Sequence, residues 1–64
     1  MKVKYDKQVD ILYLTFNQNV VEESDEYKPG VVIDYSGDGS IVGIEILNAS
    51  KHMSNPMKVE YEVG

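Results

Sequence analysis

The chain has 64 residues, with six Lys, no Arg, eleven Asp or Glu, no Cys and a formal charge of −5. A chain this short forms one domain, residues 1–64, that buries only about 60% of its unfolded surface, and without Cys it has neither disulfides nor thiolate zinc to reinforce the core. The acidic balance repels phosphate and excludes nucleic acid as a natural partner, and no apolar run is long enough to span a bilayer, so a soluble cytoplasmic protein is expected.

Period-two alternation runs through most of the chain. Lys2 to Tyr5 reads as a short strand with Val3 and Tyr5 on one face, joined by Asp6-Lys7-Gln8 to a second strand over residues 11–16. There Leu12, Leu14 and Phe16 share one face and Ile11, Tyr13 and Thr15 the other, and Asn17-Gln18-Asn19 closes the strand. Residues 20–27 carry Glu22, Glu23, Asp25 and Glu26 between apolar ends. An edge strand fits this run, because charge on an edge discourages pairing with other chains. Lys28-Pro29-Gly30 ends it in a type II turn, with Pro fixing the first central position and Gly supplying positive φ at the second.

Val31 to Tyr35 and Ile41 to Leu47 flank Asp38-Gly39, a favoured pair for a two-residue type I′ hairpin. That turn sets Tyr35 opposite Val42, Ile33 opposite Ile44 and Val31 opposite Ile46, and gathers the expected core on one face. Asn48 then caps a short helical turn through Met53, which Asn55-Pro56 ends. From Met57 the alternation returns, with Val59, Tyr61 and Val63 inward and Lys58, Glu60 and Glu62 outward. The predicted fold is mainly β: a twisted antiparallel meander of five to six strands with one short helical turn near residues 48–54.

In this register Asp34 and Glu45 are diagonal neighbours on the second face, roughly 7 Å apart. Paired carboxylates can divide acid and base roles or hold a hard cation, but no third ligand accompanies them. Asp34 to Gly39 has a passing likeness to a calcium loop that the Asp-Gly turn explains better, and Gly37 and Gly39 precede no phosphate-binding helix. His52 is the only imidazole, and no Ser or Thr sits in a nucleophile-elbow context. No catalytic residue, cofactor or metal is assigned, and an enzyme is disfavoured. Tyr13 and Tyr27 lie off the expected core and are candidate interface residues together with Glu22, Glu23, Asp25 and Glu26. Because both faces of so small a sheet carry apolar groups, a homodimer is expected, and the acidic edge also suits a basic protein partner.

The order of these features carries a resemblance. Tyr5-Asp6, Asp10 with Leu12-Tyr13-Leu14, Val21, Ser24, Glu26, Pro29-Gly30-Val31, Asp34-Tyr35, Asp38-Gly39, Val42-Gly43-Ile44-Glu45-Ile46-Leu47 and Ala49-Ser50 closely resemble the prokaryotic domain of unknown function 2283 family over residues 2–51. Asn48 departs from the family pattern, which favours Asp there. The resemblance implies a short single-domain protein of bacteria or archaea with no residue-level role to carry over, and an antitoxin-like interaction module as one reading of its role. Three functions therefore stand beside one another: an interaction module, a ligand, cation or catalytic site at Asp34 and Glu45, and a purely structural homodimer.

Overall fold

A computed structural model describes all 64 residues. Five strands form one antiparallel sheet: β1 (Lys2–Asp6), β2 (Ile11–Thr15), β3 (Glu23–Lys28), β4 (Val31–Tyr35) and β5 (Ile41–Leu47), followed by a 3₁₀ turn, Ala49–Lys51. Their spatial order is β1-β2-β5-β4-β3. A hairpin (β1–β2) and a meander (β3–β4–β5) are thus zipped together along β2 and β5, which bears out the mainly-β, meander-like architecture.

Register puts Val3 and Tyr5 beside Leu14 and Leu12, these beside Ile44 and Ile46, and those beside Ile33 and Val31. One face is therefore apolar across β1, β2, β5 and β4, and ends at Glu23 and Asp25 on β3. The other face carries Tyr13, Glu45, Val32, Asp34 and Ser24, by the same pairings. No helix packs on either face, and the closest packing between elements is that of sheet neighbours. Only Leu12, Val42 and Ala49 are buried among the hydrophobic residues.

The β4–β5 connection differs from the expected two-residue turn. Gly39 N–H donates to the Ser36 carbonyl at 3.0 Å and Ser36 N–H to the Ser40 carbonyl at 2.9 Å. Neither Gly37 nor Asp38 has positive φ, whereas Gly39 has φ 88°. The loop is a three-residue connection, a type I-like turn followed by a left-handed glycine. Asp38 selects it: its Oδ1 accepts the Ser36 hydroxyl at 2.5 Å and the Ser40 N–H at 3.0 Å. The extra loop residue is absorbed by a bulge at which Tyr35 faces Ile41 instead of Val42, after which Ile33 and Val31 meet Ile44 and Ile46 as expected.

Three further expectations need correction. The acidic strand starts at Glu23, leaving Val20 and Val21 exposed outside it, and a bulge between Glu26 and Lys28 shifts its pairing. Asn48 adopts φ 51° and makes no side-chain cap; the 3₁₀ turn is held instead by Asp10, at the same end of the neighbouring strand β2. Residues 57–63 form no strand, and Val59, Tyr61 and Val63 are exposed, because nothing in this chain pairs with them. Gly30, at φ 87°, does supply the positive φ that the Pro-Gly turn requires.

Candidate functional site

Asp34 and Glu45 are brought together on the more polar face. Asp34 pairs across from Gly43 and Glu45 across from Val32, so the two carboxylates are diagonal neighbours on adjacent strands. The Ser24 hydroxyl donates to Asp34 Oδ1 at 2.6 Å, and Tyr13 stands opposite Glu45 on β2. Burial is the largest cause raising the Glu45 pKa above its ordinary 4.5, followed by a hydrogen bond and repulsion from Asp34. The pair does not make a cation cage, since no three Asp, Glu or His side chains converge anywhere in the chain. It also lies on an open sheet face and not in a cleft, which gives a substrate no enclosure.

A pH dependence follows from the raised Glu45 pKa. The folded chain holds this proton more tightly than the unfolded chain, so stability from this group is complete below 4.5 and is lost as pH rises through the higher folded value. Glu45→Gln should remove that slope and stabilise the fold at neutral pH by about 0.5 kcal/mol, the scale of a like-charge cross-strand pair. Urea titrations on both sides of that range test this, and a variant no more stable than wild type at neutral pH contradicts it.

The remaining candidates lie elsewhere. Glu23 and Asp25 pair beside Tyr35 and Ile33, and Ser24 and Glu26 beside Asp34 and Val32, so the acidic groups divide between the two faces of edge strand β3. Glu22 precedes the strand, donates its N–H to the Tyr35 carbonyl at 2.8 Å, and lays its carboxylate over Gly37. Tyr27 is exposed at the β3 bulge, three strands from Tyr13, so the two tyrosines form no common patch. Lys4 lies over the Tyr13 ring, 5.8 Å from its centroid. His52 stands near Gly30 with no hydrogen bond from its ring, and the chain has no helix long and apolar enough to cross a membrane.

Residue-by-residue reading of candidate sites missed Asp10. It occupies the β1–β2 connection at φ 56°, accepts the Tyr5 hydroxyl at 2.6 Å, and accepts the Ser50 N–H and hydroxyl at 3.0 and 2.6 Å. Its backbone carbonyl receives the Ala49 N–H at 2.9 Å. These bonds, Ser50 first and Tyr5 next, hold its carboxyl below the ordinary 3.8. The only advance signal is that Tyr5, Asp10, Ala49 and Ser50 all belong to the pattern carrying the family resemblance; spacing within the chain says nothing of a contact 40 residues long.

No curated protein and no solved structure matches this chain. The family described as "Protein of unknown function (DUF2283)" matches residues 2–50, a span that takes in all five strands, the Asp34 and Glu45 pair and the Asp10–Ser50 contact, and the chain belongs to that family.

Proposed function

We propose that this protein is a protein–protein interaction module that works as a homodimer, with the apolar sheet faces of two copies stacked on each other. Surface area carries this reading. The chain exposes 5041 Å², whereas a folded chain of 7.2 kDa is expected to expose about 4,100 Å². The excess, about 900 Å² shared between the open face and the C-terminal segment, is close to one partner's share of a standard interface, about 800 Å². Stacking two sheets supplies the second layer that this fold lacks.

The acidic β3 edge supports a second reading, an antitoxin-like complex with a basic partner. Its carboxylates have no internal cation, because the one ion pair in the chain is Lys58 with Glu60. Solvated carboxylates steer association more than they hold it, and the apolar sheet face favours the first reading.

Sedimentation velocity from low micromolar to millimolar concentration tests it. Val3 and Phe16 are 38% and 39% exposed at the rim of the apolar face. The double variant Val3→Lys, Phe16→Lys should keep its circular dichroism and weaken self-association at least tenfold. A wild-type chain that stays monomeric throughout removes the proposal.

A further inference from the structure

We propose that the open edge of β1 takes residues 58–62 of a second copy as a sixth, antiparallel strand, with Lys58 opposite Asp6, Glu60 opposite Lys4 and Glu62 opposite Lys2. The donor's identity rests on the self-association reading above; the edge that receives it is a separate surface.

Strand β1 is an edge, because only β2 pairs with it. Its outer row of backbone groups is a template for an added strand, and lysines on such an edge normally keep other chains away. Here the chain contains a segment whose charges are the complement of that edge. Residues 58–62 read Lys-Val-Glu-Tyr-Glu and β1 reads Lys-Val-Lys-Tyr-Asp. Laid antiparallel in the stated register, all three charged pairs are of opposite sign. The same register sets Val59 beside Tyr5 and Tyr61 beside Val3, which extends the apolar face by one strand.

Other arrangements of the segment fail on the same count. Parallel pairing that keeps Val59 beside Val3 opposes Lys58 to Lys2 and Glu62 to Asp6. An antiparallel slip of two residues one way opposes Lys58 to Lys4, and the other way opposes Glu60 to Asp6. On the β3 edge, one row of the segment must lie beside Glu23 and Asp25, which opposes either its glutamates or Val59 and Tyr61 to carboxylates.

The segment's own chain does not fill the site. Val59, Tyr61 and Val63 are 61%, 79% and 83% exposed. The chain leaves the 3₁₀ turn toward the β3–β4 connection, where His52 Nε2 stands 3.7 Å from the place a Cβ on Gly30 would take. That connection lies on the far side of the sheet from β1. A turn follows, with Lys58 N–H donating to the Asn55 carbonyl at 3.1 Å and Met57 N–H to Asn55 Oδ1 at 3.1 Å, and it presents residues 58–63 to solvent. A second copy supplies what the geometry of one copy directs away.

Isotope-filtered NMR on a mixture of labelled and unlabelled full-length chains tests this at a concentration where sedimentation shows dimer. Expected are intermolecular contacts of Val59 with Tyr5 and of Tyr61 with Val3, and slowed amide exchange across residues 58–62 that disappears on dilution. The double variant Lys2→Glu, Lys4→Glu should weaken this pairing roughly tenfold, from two reversed charge pairs, and adding Glu60→Lys and Glu62→Lys should restore it. A dimer whose residues 58–62 exchange at unfolded-chain rates overturns the strand addition and leaves the stacked-sheet reading standing. Contacts found only within one chain overturn the second copy as donor, and a chain that is monomeric at every concentration overturns both.

Discussion

Gly43→Ala is expected to destabilise the fold by about 3 kcal/mol, at the upper end of the cost of overpacking a close-packed site. Gly43 lies within the central strand β5, buried between Thr15 on β2 and Asp34 on β4. A Cβ there would fall inside contact distance of the Leu14 carbonyl oxygen, with the Leu14 carbonyl carbon and Thr15 Cα each 3.4 Å away. These are backbone atoms of the paired strand and cannot swing aside as a flexible side chain would. Relief requires β2 to move from β5, and that ladder is the principal seam between the β1–β2 hairpin and the β3–β4–β5 meander. Such a loss is a large part of the total stability of a chain this small. Urea unfolding should show a lower midpoint for the variant, and an unchanged midpoint contradicts the close approach of β2 and β5.

How much of this was legible in the sequence depends on whether the deciding contacts are near or far along the chain. The apolar pairing of Val31 with Ile46 and Ile33 with Ile44 was legible because one-residue slips would move every apolar group to the opposite face. It also makes Asp34 and Glu45 neighbours on the other face, although the loop that joins their strands has three residues where two are expected. Asp38 hydrogen-bonds Ser36 and Ser40 and thereby favours a three-residue loop over the expected two. The bulge at Ile41 and Val42 then cancels the extra residue, so two departures leave the inner register unchanged. The strand expected over residues 57–63 illustrates the opposite limit. Alternation shows that a segment suits a sheet edge, but not which edge receives it, and a single chain offers this segment no strand partner. The Asp10 contact with Ser50 was illegible by position because it depends on how the hairpin and the meander dock, which no local pattern encodes.

That contact sets the second large effect. Asp10→Ala is expected to lower the melting temperature by on the order of 10 °C, as several charge-assisted hydrogen bonds are lost at once from a small domain. The substitution removes the acceptor of the Tyr5 hydroxyl and of both Ser50 donors, and it places alanine at φ 56°, where aspartate and asparagine are better tolerated. Ala49, the fully buried first residue of the 3₁₀ turn, loses its anchorage as that turn loosens. Asp10→Asn, which keeps one oxygen acceptor and the left-handed backbone, should lose less. The acid limb gives a signature that a general loss of packing would not. Asp10 is held below its ordinary 3.8 chiefly by Ser50 and then by Tyr5, so its stabilisation is complete above that value and disappears as pH falls through the folded one. At the alkaline end the bond to Asp10 raises the Tyr5 pKa above 10, so the contribution of Tyr5 is lost as pH rises through its folded value. In Asp10→Ala both limbs should flatten, and the Ser50 amide should exchange faster than in wild type. If the variant keeps wild-type melting and both pH limbs, Asp10 does not fasten the 3₁₀ turn to the hairpin.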